Sequence, residues 1–282
     1  MLVGNVYKFL EAKRSKFLDN GLLRFSQPAA LNDPYECLAS FPDVTPDEMS
    51  GDLLAGVLEK VGYSESDSRE EKLQKSSMIA TAMYRIEAMF KDDPWLYRDF
   101  TMKFNQDRIN KDLGILSLSR RWNSALMWSH YTKIYSGFCV GFDVDHGFFK
   151  EISDGGSLRR TSLLPVNYTN VRPTIPKKQS EVVGLDIFLT KSVDWEYEEE
   201  DRLLALLKDA DKIGDEKPYS AHLFKIPFDA VSELILGHNA PETLRVEVLE
   251  FGKKLGVPVY KTQLSQRSFD VDRVPLKDGV CF

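Results

Sequence analysis

The sequence predicts an α+β fold with a mixed, mainly antiparallel β-sheet core and a helical insertion. Short alternating or apolar runs, bounded by Gly, Pro and Asn, occur in both halves of the chain and are typical of strands. Residues 44–112 change instead to helical patterns. A strand-helix-strand run near the end indicates one parallel pair of strands. We therefore expect a single domain over residues 1–282, with residues 44–112 inserted into it.

The bounds of the first elements are predicted from the residues that end helices and form turns. Residues 2–9 read as a short strand, and a helix over 11–20 is expected to end at Gly21 in the left-handed conformation. Leu22 to Ser26 forms the next predicted strand. A turn-rich loop over 31–36 follows, in which Asn and Asp side chains brace the backbone.

The insertion carries its own helix signals. A capping box begins at Thr45, and Asp93-Pro94 repeats the start signal before a helix that runs to residue 111. A third helix is predicted between them. Residues 63–71 lack a periodic apolar face and are expected to form a loop or a frayed helix end.

Residues 115–143 combine structural signals with unusual polar groups. The strand Ile115 to Ser119 alternates apolar and hydroxyl residues, so Ser117 and Ser119 share one face. Asn123 or Ser124 is expected to cap a helix that ends at 136–137. A buried strand over 138–142 follows.

The helix in this stretch presents a group of ring-bearing side chains. Met127, His130, Tyr131 and Ile134 lie at i, i+3, i+4 and i+7 and so share one face, and Trp128 lies beside them. Isolated aromatics at this spacing are commonly core residues.

The remaining elements lead to an acidic strand. Residues 143–161 are expected to be a mobile loop, 163–168 a strand and 180–191 a helix. In an extended chain, Glu196, Glu198 and Glu200 point to one side, at the mouth of an apolar strand. The closing run is a strand over 231–237, a helix over 241–254 stopped by Gly256, and a strand over 257–262.

Composition limits the classes of protein. The 282 residues are 43% hydrophobic and 28% charged, which is typical of a soluble globular protein. With a net charge of -6, any contact with nucleic acid must be local. Three scattered cysteines favour a reducing cytoplasm, and we expect neither a leader peptide nor a membrane span.

Common motifs of enzymes are missing from the sequence. The four histidines lack metal-site spacing, and no phosphate loop, dinucleotide fingerprint or nucleophile elbow occurs. What remains is the pair Ser117 and Ser119, the helix with Trp128, His130 and Tyr131, and the glutamates. Hydroxyls suit a sugar, aromatics suit a flat ring, and a carboxylate stabilises a developing cation. Together these groups favour a nucleotide ligand, although each has an ordinary structural explanation.

The chain resembles an uncharacterised bacterial family, family 2971 of the domains of unknown function. The resemblance covers most of the chain outside the insertion. It rests on Val6-Tyr7-Lys8-Phe9, Phe25-Ser26-Gln27-Pro28, the run from Leu31 to Glu36, Leu126 to Tyr131 with Gly137 to Asp143, and Lys191 with Trp195, Tyr197, Glu198, Glu200 and Arg202. The family name carries no activity.

More distantly, the order of elements is similar to that of ADP-ribosyltransferases. That resemblance implies a fold with their strand order, which binds NAD or a related nucleotide. It implies that Ser117 and Ser119 orient the ribose and that Glu198 or Glu200 supplies the catalytic carboxylate. In that superfamily a first-strand Arg or His grips NAD, whereas this chain offers Tyr7 and Lys8 at the matching position.

The resemblance also implies further contacts and an acceptor. Lys8 would contact phosphate, and Tyr131 or Trp128 would support the ring. ADP-ribose would pass to a macromolecule, nucleic acid or protein, in a toxin or phage-defence setting.

Two other functions remain open from the residues. One is a ligand-binding or sensor module without chemistry. The other is metal-dependent hydrolysis of nucleic acid by Glu196, Glu198, Glu200 and Asp33, which requires these carboxylates to converge. The sequence predicts no oligomeric state.

Overall fold

The computed structural model of the protein describes residues 4–38, 40, 54, 56–93, 106, 107, 109–174 and 184–276. Its named strands are β1 Asn5–Leu10, β2 Leu22–Phe25, β3 Leu113–Ser119, β4 Phe138–Asp143, β5 Ile152–Asp154, β6 Ser157–Arg160, β7 Leu164–Pro165, β8 Asn167–Tyr168, β9 Thr190–Lys191, β10 Glu200–Leu206, β11 Lys212–Gly214, β12 Ala221–Lys225, β13 Val231–Leu236, β14 Val259–Leu264 and β15 Val271–Pro275. Its named helices are α1 Phe17–Asn20, α2 Arg69–Asp92, α3 Ala125–Tyr131 and α4 Glu242–Leu255.

A large mixed sheet forms the centre of the fold. Its strands run in the order β15-β14-β13-β4-β1-β3-β10-β6-β5, and β7 also pairs with β10. Smaller sheets, β11-β12-β2 and β8-β9, lie beside it. The parallel pairs are β13 with β14, which confirms the predicted strand-helix-strand run, and β8 with β9; the other pairs of named strands are antiparallel. The predicted α+β class is therefore confirmed.

The central sheet opens between β1 and β3. These strands share one registered pair, Tyr7 with Ser119, whereas β1 registers with β4 over six pairs. Further along β3, Ile115 pairs instead with Ser26, which follows β2. Between these two points the side chain of Lys8 donates a hydrogen bond to the Ser117 carbonyl over 2.8 Å. A cleft therefore forms where β3 changes partner from β1 to the end of β2.

The two faces of the sheet differ in chemistry. One face packs the main core, with Val6, Leu116 and Phe138 fully buried against α1 and α4. The opposite face carries Tyr7, Ser119 and Glu200 in register across three strands. This second face therefore carries the polar groups, and the register that the apolar core fixes brings them together.

Local signals position several elements as predicted. Gly21 ends α1 at φ 68°, and Gly256 ends α4 at φ 70°. Gly21 and Gly256 thus take the left-handed conformation that glycine tolerates. Ser124 caps α3, accepting a hydrogen bond from the Met127 backbone N–H.

The structure corrects two predicted elements around the polar face. Helix α3 ends at Tyr131 rather than near residue 136, because 133–135 all adopt positive φ. Residues 195–199 are not extended: a 3-10 helix spans Val193–Glu198, and Glu199 at φ 43° turns the chain into β10. Ser192 begins this turn by accepting a hydrogen bond from the Asp194 N–H. Glu198 and Glu200 therefore do not alternate along one strand.

Other predicted segments differ in extent. The expected loop over 143–161 contains the β5–β6 hairpin, and the strand expected over 163–168 divides into β7 and β8. The end of the helix predicted over 180–191 is instead a 3-10 turn, Leu185–Phe188, followed by β9, and its start lies outside the described residues.

The described part of the insertion consists of helical segments. Residues 56–61 are helical, and α2 begins at Arg69, so 69–71 of the predicted loop are helical and 63–68 are not. The capping box at 45–48 and the helix start at Pro94 lie outside the described residues. Within the described residues, every helix is too short or too polar to traverse a bilayer.

Candidate functional site

A cavity of about 400 Å³ fills the cleft between β1 and β3. Helix α3 and the turn before β10 close it. Its polar lining comprises Tyr7, Lys8, Glu11, Arg14, Arg24, Ser26, Asn32, Glu36, Ser117, Ser119, Tyr131, Lys191, Glu198 and Glu200. The volume is within the range of small-molecule sites in proteins.

One wall of the cavity is a buried charge cluster, made of Glu36, Lys191, Glu198, Glu200 and Arg202. The Lys191 ammonium lies 2.8 Å from Glu36, 2.6 Å from Glu198 and 3.4 Å from Glu200. The Arg202 guanidinium binds Glu200 and Glu36 and donates to the Phe188 carbonyl. Three carboxylates are thus held by two cations, and all five side chains are at most 4% exposed.

Glu200 is the structural anion of this cluster. Arg202 donates to its two oxygens over 2.7 and 2.9 Å, and Ser117 also hydrogen-bonds it. Burial alone would raise the pKa of Glu200, but the charge and hydrogen bonds of Arg202, with the charge of Lys191, lower it to about 2. Both carboxylate oxygens of Glu200 therefore already accept hydrogen bonds from the protein.

Glu198 is placed differently. It lies at the end of the 3-10 helix, accepts a hydrogen bond from the Tyr131 hydroxyl and contacts Lys191. Burial raises the pKa of this carboxyl above its ordinary value, against the opposing charge and hydrogen bond of Lys191. A carboxylate with a raised pKa at a cavity wall suits proton acceptance and stabilisation of positive charge.

Tyr131 connects Glu198 to the loop after β2. Its hydroxyl accepts a hydrogen bond from the Asn32 amide over 3.0 Å and donates one to Glu198. Burial and the neighbouring Glu198 charge raise the pKa of this phenol, so the proton stays on Tyr131. The ring therefore lies at the cavity with a fixed orientation.

The two predicted hydroxyls have different surroundings. Ser117 lines the cavity and hydrogen-bonds Glu200. Ser119 is buried, contacts the carbonyls of Arg121 and Glu198, and accepts a hydrogen bond from the Arg121 N–H. Ser119 therefore fixes the Glu198 backbone, and Ser117 is the better placed of the two to meet a ligand.

Tyr7 and Lys8 line the opposite side of the cleft. The Tyr7 hydroxyl donates to Glu233 over 2.8 Å, which fixes its ring. Burial lowers the pKa of Lys8, while the charges of Glu200 and Glu198 act against that shift. Lys8 is the cation that fills the gap in the sheet.

Trp128 and His130 lie away from the cavity lining. Trp128 is fully buried, stacks on Tyr135, and donates its indole N–H to the Trp122 carbonyl. His130 is exposed and contacts the Tyr197 hydroxyl over 3.2 Å. Trp128 is thus a core residue, and of the two rings predicted to support a ligand, Tyr131 alone reaches the cavity.

The structure adds residues that the site prediction lacked. Glu36 and Lys191 complete the charge cluster, Asn32 orients Tyr131, and Arg14 and Arg24 line the cavity. Asn32, Glu36 and Lys191 stood in the motifs that carry the family resemblance, which was the available signal. Arg14 and Arg24 belong to no motif in the sequence, because their shared ion-pair partner, Glu216, lies about 200 residues away.

The four carboxylates proposed for metal-dependent hydrolysis do not come together at one point. Glu198 and Glu200 share Lys191, Glu196 is exposed, and Asp33 accepts a hydrogen bond from the Tyr35 N–H in the loop. Among the described residues, no group of three or more His, Cys, Asp or Glu is arranged to hold a metal ion. Lys191 and Arg202 instead pair with the carboxylates of the cluster.

Comparison with known proteins gives one finding. No curated protein and no solved structure matches the chain. A family model described as protein of unknown function (DUF2971) matches residues 127–203. The match spans Tyr131, Lys191, Glu198, Glu200 and Arg202, so over this stretch, which contains most of the charge cluster, the chain is similar to the DUF2971 family.

Proposed function

We propose that the cleft binds NAD or a related nucleotide and that the protein transfers ADP-ribose to a macromolecule. The observation that carries the proposal is the position of Glu198: a buried carboxylate with a raised pKa, beside Tyr131, at the wall of a cavity that Ser117 also lines. Breaking a bond at a ribose carbon develops positive charge, which a fixed carboxylate stabilises.

The opposite side of the cavity supports a phosphate-bearing ligand. Lys8, Arg14 and Arg24 line it from β1, the following turn and β2. Cations of this kind bind phosphate oxygens through charge-assisted hydrogen bonds. One side of the cavity thus carries three basic side chains for phosphates, two of which also pair with Glu216, and the other side carries the carboxylates for the developing ribosyl cation.

In the proposed reaction, the bond between the nicotinamide nitrogen and the ribose C1′ breaks, and its electron pair stays on nicotinamide. A nucleophile of the acceptor forms the new bond at C1′, and its proton passes to the Glu198 carboxylate. Tyr131 supports the ring, Ser117 contacts the ribose, and Lys191 holds Glu198 in place. Modification of an essential macromolecule would arrest growth, as a toxin or phage-defence protein requires.

The test is NAD binding and nicotinamide release by the wild type, Glu198→Gln and Glu196→Gln. We expect Glu198→Gln to keep binding within a few fold and to lose at least about 100-fold in nicotinamide release. Glu196, exposed on the same 3-10 helix, provides the matched control and should retain activity. No calorimetric binding at millimolar NAD would reject the proposal.

A non-catalytic ligand-binding module is the second candidate, and one observation favours it. Every member of the charge cluster has an oppositely charged partner within the cluster, as in a structural ion network. For that function, NAD or another nucleotide would bind, Glu198→Gln would change affinity alone, and the wild type would release no nicotinamide.

A further inference from the structure

A second cavity lies behind the charge cluster. It has a volume of about 410 Å³ and is formed by the loop over 33–38, residues 169–173, and the turn that follows β9. Glu36 and Lys191 line both cavities. The ion pair between these two side chains, which are 1% and 2% exposed, therefore lies in the wall that the two cavities share.

Aromatic rings border this second cavity. Tyr35 is 68% exposed, with the Arg172 guanidinium 5.9 Å from its ring centroid. Trp195 is half-buried, and the Lys191 ammonium lies 4.6 Å from its ring. The indole N–H of Trp195 has no partner within the part of the chain that the structure describes. A large exposed ring beside a cavity, with an unused donor nearby, is an arrangement that binds flat polar rings.

The charged groups in the lining are already engaged. Asp33 accepts a hydrogen bond from the Tyr35 N–H, and Asp194 accepts one from the Ser192 hydroxyl. The Arg172 guanidinium donates to the Leu38 carbonyl. Stacking, rather than a strong phosphate field, is therefore the main attraction that this cavity offers, in agreement with the net charge of -6.

We propose that the second cavity binds one base of a single-stranded nucleic acid. The base stacks on Tyr35 and Trp195, while Asn170, which also lines the cavity, offers its side-chain amide to the edge of the base. Because the two cavities share a wall, a base anchored here brings the neighbouring nucleotide to the first cavity as the acceptor. That acceptor role rests on the proposed ADP-ribosyl transfer, whereas binding of the base does not.

The test measures anisotropy of a labelled single-stranded oligonucleotide, without NAD, on the full chain. Tyr35→Ala should weaken binding about tenfold or more, and an abasic strand of equal length should bind far more weakly than the intact strand. Tyr84→Ala provides the control, because Tyr84 is 75% exposed on α2, and it should match the wild type. The logarithm of affinity should fall with the logarithm of salt concentration at a slope no steeper than about -2, since few phosphates are contacted.

Trp195→Phe keeps a ring and should bind within a few fold of the wild type, and circular dichroism checks that each variant folds. Equal binding by Tyr35→Ala and Tyr84→Ala, or equal binding of the abasic and intact strands, would overturn the proposal. No NAD is present in the oligonucleotide assay. A lack of oligonucleotide binding therefore does not count against NAD binding in the first cavity, and a lack of nicotinamide release does not count against binding of the base in the second.

Discussion

Lys191 is the residue on which the buried charge cluster depends, because its ammonium contacts Glu36, Glu198 and Glu200 at once. Lys191→Met leaves three buried carboxylates with Arg202 as their one remaining cluster cation. Removing one partner of a buried ion network costs about 3 to 5 kcal/mol. We expect a loss of that size in the free energy of unfolding, measured by urea denaturation.

Lys217→Met provides the control for this substitution. The Lys217 ammonium pairs with Asp215 at the surface, where both side chains are 87% exposed, and surface pairs contribute little. Its unfolding midpoint should match that of the wild type. Equal midpoints for the two variants would show that the cluster does not stabilise the fold.

The ionisation of Glu200 makes the free energy of unfolding depend on pH. Its pKa is lowered from 4.5 to about 2 in the folded protein, so its stabilising contribution is present above pH 4.5 and is lost as the pH falls toward 2. A shift of this size corresponds to about 3 kcal/mol. Comparing urea unfolding at pH 6, 4 and 3, we expect Glu200→Gln to lose less stability with acid than the wild type. Parallel losses would contradict the assignment.

The limits of sequence reasoning are clearest at the charge cluster. Glu198 and Glu200 could be proposed as site residues from the density of charge at the start of an apolar strand, and the structure places both against Lys191. Their different roles could not, because these depend on Arg202 reaching back to Glu200 and on Glu36, which lies more than 160 residues away from Arg202. Pairing across such separations leaves no local pattern.

At the scale of elements, the turn after α3 fixes the helix that carries Tyr131. Gly237 follows β13 and donates its N–H to the Gly137 carbonyl over 2.9 Å. A Cβ at Gly237 would lie 2.0 Å from the Tyr135 carbonyl oxygen, so backbone would have to move. We expect Gly237→Ala to lower the free energy of unfolding by about 3 kcal/mol, measured by denaturant titration.

Gly147→Ala is the matched control for this turn. A Cβ at Gly147 meets nothing within 4 Å, so this substitution should be neutral or slightly stabilising. If both alanine variants unfold at the same denaturant concentration, the close packing of this turn does not hold α3 in place.

Element boundaries that depend on local backbone signals were predicted correctly, whereas two segments next to the site were not. Gly21, Ser124 and Gly256 act on their own backbone, and the boundaries that they mark are correct. The extended conformation expected for 195–199 was wrong, because alternating charge mimicked a strand while the cap at Ser192 began a helical turn. Tertiary contacts also override the helical pattern at 133–135.

At the scale of the whole molecule, the cleft depends on one strand that serves two sheets. β3 pairs with β1 at Ser119 and with the end of β2 at Ile115, and Lys8 bridges the interval. The class of fold could be predicted, since strand and helix periods are local. The opening could not, because it results from competition between β1 and β2 for the same edge.

A ligand that bridges the cleft should therefore stabilise the molecule as a whole. At a concentration of 100 times its dissociation constant, a ligand that binds only the folded state adds about 2.7 kcal/mol to the free energy of unfolding. We expect NAD at that excess to raise the melting temperature of the wild type and of Glu198→Gln by several degrees. Hydrogen exchange should slow in β1 and β3, whose amides face the opening. Helix α4 packs against the opposite face of the sheet and supplies the internal reference for the slowing that global stabilisation causes everywhere. Slowing in β1 and β3 beyond that of α4 is the expected result, and greater slowing in α4 than in β1 and β3 would place the binding site away from the cleft.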